Sequence, residues 1–420
     1  MSTNQIIALY EIPNDSLTIK LFDNTYTKII PKINQLIIDD LGIKPSEYYT
    51  FKTKGIHSLQ IILSSQLNSL QNLFSDCFYL KEVDFSNLST SKVTSMANLF
   101  YRCISLSYID FTNVDTSNVL DIQKMFFGCG KLKEVDLSMF NTSKVKDMNN
   151  LFSGCSSLNK IFLSEKFDTS NTENISNMFS FCGELEDIDL SKFNTSKVKD
   201  MSSLFYSCKK IEFLNLDNFD TSNVENMSKM FSYCNNLTSI IFSEKFVTKK
   251  VKQMENMFDS CKKLTFIDLS SFSTESVENM SFMFYGCESL SNLDISNFDI
   301  TQVKNMRNIF HNCKSIIMLD LSNFKNNNYI KDLNYMFCGC ENLIKIDFGN
   351  FKNEKEINLE HIFDGCENLN NIDMVKFDFN KVKRIEGIFK DVPDEGSIVC
   401  NKSFKDKLIG VLPGGWEKVI

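Results

Sequence analysis

Proline is nearly missing from the interior of this chain. Of its five prolines none falls between Pro45 and Pro393, as an uninterrupted, regularly hydrogen-bonded register requires of a residue with no N–H. Histidine is almost as scarce. His57, His311 and His361 are the only three; His311 follows a repeated Phe and His361 precedes one by two residues, so they form no column of ligands. Cys338 and Cys340 stand one residue apart, whereas zinc sites normally offer spaced pairs. No G-x-S-x-G, Walker-type or G-x-G-x-x-G segment is present. No run approaches the ~18 apolar residues of a membrane span, and neither end carries a lipidation box. The start, MSTNQIIALYEIPNDS, has no basic opening and no long apolar core, so no secretory signal is visible. Positive charge is not in excess either: 45 Lys and Arg face 53 Asp and Glu, a net charge of −8, which disfavours nucleic acid as a partner. These absences predict no catalytic, cofactor-binding or metal-ligating residue, no nucleic-acid partner, no membrane insertion, and a cytoplasmic location with the cell surface as the alternative.

What the chain has is one stretch, copied. Asp115 to Phe140, DTSNVLDIQKMFFGCGKLKEVDLSMF, is typical. Thr116 and Ser117 are good N-caps. Val119, Ile122, Met125, Phe126 and Cys129 follow at steps of three and four, the apolar stripe of a helix of about three turns. Ser170 with Glu173, and Ser222 with Glu225, have capping-box spacing. Gly128 and Gly130 loosen the helix end. Val135 and Leu137 then alternate with Asp136, as in a very short strand with Asp136 on the other face. One helix and one short strand cannot bury these groups alone, but stacked copies can. The predicted class is therefore α/β: a solenoid with one short parallel strand and one helix per 26–27-residue repeat, and non-repeat caps.

Twelve of the fourteen cysteines form a ladder from Cys77 to Cys366 at steps of 26 or 27. Each lies three residues after a Phe of a parallel ladder that runs from Phe74 to Phe389. Helices packed ~8–10 Å apart would hold neighbouring cysteines beyond the ~7 Å that a disulfide spans. The ladder reads as buried free thiols, which fit a reducing compartment. Cys338 and Cys400 lie off the ladder and are the expected reactive thiols. The abundant Phe (38) and Met (17) sit at fixed repeat positions and read as core. Sequons such as Asn141, Asn194 and Asn226 follow from repeat composition.

Taken in order, residues 1–62 are not repeat-like and read as a strand-rich N-terminal cap. LTIKLF (17–22) and SLQIIL (58–63) look like strands, and INQLIIDDL (33–41) fits a short helix or a strand. Residues 63–391 hold about twelve repeats. Two of the longer units share an SEKF turn, at Ser164–Phe167 and Ser243–Phe246; a third returns through Lys325–Asn328. Residues 392–420 read as a C-terminal cap, with a strand at Ile398–Cys400, a short helix over 404–412 and a turn holding Trp416, the single tryptophan.

The segment C-x-x-L-x-x-V-D-L-S-x-F-N-T-S-x-V-x-x-M-x-x-L-F-x-x-C, as at Cys129–Cys155, resembles the 26-residue repeat of BspA-like leucine-rich-repeat surface proteins, found also in mycoplasma lipoproteins and large protist families. Leu132, Val135 and Leu137 are similar to the leucine-rich-repeat strand signature, with Phe140 where ordinary repeats place Asn or Cys. The resemblance implies a curved solenoid with short parallel strands on its concave face, and binding or adhesion rather than catalysis.

The strand position facing away from the core reads Asp84, Asp110, Asp136, Phe162, Asp189, Asn215, Ile241, Asp268, Asp294, Asp320, Asp347, Asp373. Parallel strands stack ~4.8 Å apart, and two unit charges at that distance repel by ~0.9 kcal/mol even in water. The column needs compensation. Either each Asp accepts backbone N–H groups of the turn that follows, or the strip receives cations or a basic partner. Two of the exceptions, Phe162 and Ile241, belong to the SEKF units: where the turn changes, the Asp goes. Phe162, Phe213, Ile241 and Phe266 project from the strand side and form a candidate partner-binding patch. The expected function is a non-enzymatic scaffold binding a protein partner; a surface adhesin is the alternative.

Overall fold

Backbone N–H and C=O groups removed from water must find partners. A helix would supply them within each repeat. In this protein they are shared between tight turns within the repeat and the neighbouring repeats. The structure is a computed structural model, and it describes residues 4–324, 327–403 and 410–419. Around Phe100 the pattern is plain. The N–H of Leu99 donates to Met96 O at 3.2 Å, and that of Cys103 to Phe100 O at 3.0 Å, each closing a four-residue turn. Between them the N–H groups of Asn98 and Phe100 donate one coil on, to Gln123 O and Met125 O, both at 2.9 Å. Asn98 (φ 54°) and Arg102 (φ 57°) are left-handed, as the third residue of a type II turn must be. A right-handed helix cannot pass through such a residue.

The helix expected in every repeat is therefore corrected. Among the described residues there is no α-helix, only 3-10 turns at Ile30–Lys32 and Phe379–Lys381. The fold is not α/β but a β-solenoid of short parallel strands and tight turns. Val119, Ile122, Met125, Phe126 and Cys129 are at most 1% exposed, so their inward direction was read correctly. Their spacing comes from two successive four-residue turns. The capping assignments fall with the helix. Ser170 and Ser222 instead donate their N–H groups to Asp168 Oδ1 (2.8 Å) and Asp220 Oδ1 (3.0 Å), and Thr116 bonds the neighbouring coil.

The chain divides into two units, Met1–Val198 with Leu204–Lys210, and Lys199–Ser203 with Ile211–Ile420. In the first, six strands precede the repeats: β1 (Gln5–Ile12), β2 (Leu17–Lys20), β3 (Ile33–Ile38), β4 (Leu41–Ile43), β5 (Tyr48–Phe51) and β6 (Gly55–Leu63). The stretch 33–41 is thus largely strand. The repeat strands that follow are β7 (Leu80–Asp84), β8 (Tyr108–Asp110), β9 (Glu134–Asp136) and β10 (Lys160–Phe162). One sheet has the order β4-β3-β6-β1-β7-β8. Its early strands are antiparallel, and β1 pairs antiparallel with β7. The first parallel pair is β7–β8, followed by β9–β10.

The second unit contains β11 (Phe213–Leu216), β12 (Ser239–Phe242), β13 (Met318–Asp320), β14 (Lys345–Asp347), β15 (Ile357–Asn358), β16 (Asn371–Asp373), β17 (Val382–Arg384), β18 (Glu395–Val399) and β19 (Gly415–Val419). β11 and β12 pair in parallel, and β13-β14-β16-β18-β19 form a parallel sheet. The strand expected at Ile398–Cys400 is β18, displaced towards the N-terminus. Trp416, on β19, lies against Phe389 at 5.9 Å. Of the expected helix over 404–412, residues 404–409 lie outside the described residues, as do Lys325 and Asn326 of the Asn-rich return.

Three columns hold each unit together. Ladder phenylalanines stack face to face: Phe74, Phe100 and Phe126 at 5.8 and 5.9 Å in the first unit, Phe231, Phe258 and Phe284 at 5.4 and 5.5 Å in the second, within the range for offset aromatic pairs. Ladder thiols donate back one coil: Cys103, Cys129 and Cys155 to the carbonyls of Phe74, Phe100 and Phe126 at 2.9, 3.2 and 3.1 Å. Buried threonines join neighbouring coils from within. Thr274 Oγ1 donates to Asp299 O at 2.8 Å and accepts its N–H at 2.7 Å. Downstream, Asn353, 2% exposed, takes over with both its amide groups on Asp378.

Candidate functional site

Alternation along each short strand sends the middle residue inward and its neighbours outward. In β9, Val135 is buried while Glu134 and Asp136 are exposed. The Asp column faces outward, and each of its nine members accepts the N–H two residues on. Asp84, Asp110 and Asp136 receive those of Ser86, Thr112 and Ser138 at 2.7–2.8 Å. Asp189, Asp268, Asp294 and Asp320 receive those of Ser191, Ser270, Ser296 and Ser322 at 2.8–2.9 Å. Asp347 and Asp373 bond Gly349 and Val375 at 2.7 and 3.0 Å. Hydrogen bonds from the serine two residues on hold the carboxyls of Asp189, Asp268, Asp294 and Asp320 below the usual carboxylate range. The serine hydroxyl leads at Asp189 and Asp320, the backbone N–H at Asp268 and Asp294.

Asn215 makes the same bond to the N–H of Asp217, at 3.0 Å. At the two SEKF turns the acceptor moves along the chain. Ser164 Oγ takes the N–H of Lys166 and Ser243 Oγ that of Lys245, both at 3.2 Å. Phe162 and Ile241 are thereby released from turn duty and stand exposed.

The four residues of the apolar patch divide between the units. Phe162 (39% exposed) is in the first; Phe213 (45%), Ile241 (46%) and Phe266 (58%) are in the second. The register sets Phe213 beside Ser239 and Asn215 beside Ile241, which puts Phe213 and Ile241 on adjacent strands, while Phe266 forms an isolated parallel bridge with Asn292. Sequence reasoning overlooked Tyr108 and Met139, which share an open groove with Phe162 in the first unit, and Met318, 66% exposed on β13. Tyr108 and Met318 stand two residues before Asp110 and Asp320, the outward position that Phe213 and Phe266 also hold, whereas Met139 follows Asp136 by three.

Comparison with known proteins places these coils. The model of the family DUF285, described as a Mycoplasma protein of unknown function, matches residues 68–166, 141–240, 209–324 and 315–394. The chain belongs to this family. The matched segments contain the repeat read at Cys129–Cys155, and the BspA-like resemblance is borne out. No curated protein matches. Among solved structures, a leucine-rich-repeat protein from Eubacterium ventriosum is 17% identical with a TM-score of 0.33, over 76% of this chain and 78% of that one. A leucine-rich cell surface protein from Faecalibacterium prausnitzii is 16% identical with a TM-score of 0.25, over 59% and 83%. An internalin from Listeria monocytogenes is 14% identical with a TM-score of 0.24, over 74% and 85%.

In this DUF285 chain none of the fourteen cysteines is joined in a disulfide. The two expected to be reactive are not set up for it. Cys400 is buried, and burial raises its thiol. Burial pushes half-buried Cys338 up to about 11. A reactive thiol needs the opposite, a lowered pKa and access. His57 bonds Asp39 at 2.6 Å and His361 bonds Asp364 at 2.9 Å. His311 bonds Asn308 and stacks, as His361 does, against Tyr335. Among the described residues no three His, Cys, Asp or Glu side chains gather as a metal-holding group, and no helix is long and apolar enough to cross a membrane.

Proposed function

We propose that the protein is a non-enzymatic scaffold that binds a protein partner through the strand-lined side of its coils, with residues 1–62 and 392–420 serving as caps. One observation carries the reading. Outward positions on neighbouring coils of the second unit carry large apolar side chains, 45–58% exposed: Ile241 where other coils hold the turn-bonding Asp, and Phe213 and Phe266 two residues before Asn215 and Asp268. Their coils need none of these groups outside, since the turns are satisfied without them. Exposed aromatic anchors of this kind dominate protein–protein binding energy. The test is partner capture with Phe213→Ser/Phe266→Ser. Loss of the captured partner with an unchanged thermal melt supports the patch; undiminished capture removes it.

The proposed location is cytoplasmic, in keeping with buried thiols that are not joined in disulfides. The alternative is a surface adhesin, favoured by the BspA-like repeat. Protease shaving of intact cells separates them: a protein destroyed before lysis belongs to the surface, and one that survives until lysis to the interior.

A further inference from the structure

Strands β7 to β10 present two outward positions each. Five of these eight are carboxylates: Glu82, Asp84, Asp110, Glu134 and Asp136. Tyr108 and Phe162 supply rings, and Lys160 is the single amine. The register sets Glu82 beside Tyr108 and Asp84 beside Asp110 in one pair of strands, and Glu134 beside Lys160 and Asp136 beside Phe162 in the other. Tyr108, Met139 and Phe162, exposed by 54, 45 and 39%, line a groove of about 440 Å³ with Asp110, Glu134 and Asp136.

Two observations give the occupant its charge. The turn requires an oxygen at the Asp position but no charge, because Asn215 accepts the same N–H at 3.0 Å. The negative charge of Asp110 and Asp136 is thus left over after the turn is closed. Further, the Lys160 ammonium already stands 4.6 Å from the centroid of the Phe162 ring, so a cation is accommodated on this aromatic wall. An Arg side chain combines an apolar stem with a planar cationic head that suits both carboxylates and ring faces.

We propose that this groove docks an Arg- or Lys-bearing segment of a partner protein, with the stem along Tyr108 and Met139 and the cationic head at Glu134 and Asp136. The proposal rests on reading the strand side as the binding side, and names the chemistry of the partner there. Lys160 then acts as an internal competitor that a stronger cation displaces.

The test is fluorescence anisotropy with the full chain and a labelled, end-blocked Arg-Ala-Arg-Ala-Arg peptide, and its citrulline counterpart as the neutral probe. The arginine peptide is expected to bind and the citrulline peptide not. Glu134→Gln/Asp136→Asn should weaken binding roughly tenfold, with the fold kept because Asn preserves the turn. Tyr108→Ser should weaken it too, and Lys160→Ala should strengthen it. Glu275→Gln/Glu278→Gln, the same change in net charge in the second unit, should leave the affinity unchanged. No binding of the arginine peptide overturns the proposal. So does equal affinity of the parent and Glu134→Gln/Asp136→Asn, or an equal loss in both double variants, which would mark generic charge attraction. If the peptide fails while Phe213→Ser/Phe266→Ser still abolishes partner capture, the groove falls and the scaffold reading stands. If the peptide binds as described while capture ignores those phenylalanines, the groove stands and the Phe213 patch falls.

Discussion

Single residues in this protein work across coils as well as within them. Cys155 is fully buried, donates to Phe126 O, and has its thiol pushed up to about 12 by burial. Its thiolate is therefore absent at neutral pH, and the thiolate is the reactive species. Alkylation of the native protein, read by mass spectrometry, should leave Cys155 unmodified until denaturant is added. Cys155→Asp would bury a charge with no counter-ion and should unfold its coils, at a cost of several kcal/mol. A parent-like melt for that variant would reverse the inside–outside assignment. The outward aspartates set the acid response. Their folded pKa values lie below the ordinary range at Asp189, Asp268, Asp294 and Asp320. Their contribution to stability is thus fully present above the unfolded value of about 3.9 and lost as pH falls through the folded ones. Buried Asp259 has the opposite sign, because burial raises it; its ionisation cost is relieved as pH drops. The melting temperature should fall steeply only below about pH 4, and thermal melts across the acid range check this.

At the scale of the element, the turn is where the sequence was misread. Steps of three and four mark a helix stripe, but two consecutive four-residue turns place inward residues at the same steps. The deciding feature is the left-handed residue in each turn. At Asn98, Asn150, Asn177, Asn256 and Asn308, and at Gly128, Gly154 and Gly286, the residue type announces it. At Lys124, Phe181, Tyr233 and Tyr335 it does not, since these residues adopt positive φ only where surrounding contacts impose it. The Asp column was legible as a column, with its turn bonding as one of two readings, because an Asx turn is a local matter, settled within three residues. The threonine ladder was not, because Thr116 could as well have been an N-cap until its partner 25 residues on was known. Thr274→Val keeps the shape and removes the hydroxyl from Asp299. It should destabilise the protein by about 1–3 kcal/mol, the cost of orphaned buried backbone groups, as measured by denaturant unfolding. A change below experimental error would mean that the ladder is ornamental.

At the scale of the molecule, the missing proline was the most reliable sign. Every interior coil spends its N–H groups on turns and on its neighbour, so a residue without one has no place in the repeats. Repeat number and inward columns could be read from spacing, and the family from the resemblance of the repeat motif. The hydrogen-bond partner of each N–H could not, because a helix and a solenoid coil share the same apolar period. The proposed binding role rests on that difference. Coils bonded to one another need little from their outward strand residues, and those positions are left to Asp, to exposed rings and to whatever meets them. The claim beneath all of this is that N–H groups cross between coils. Couplings through hydrogen bonds, observed by NMR on the deuterated protein, test it directly. The N–H of Phe126 should couple to the carbonyl carbon of Leu151, its partner at 3.0 Å on the next coil. Coupling to Ile122, four residues back, would be the signature of a helix and would contradict the account.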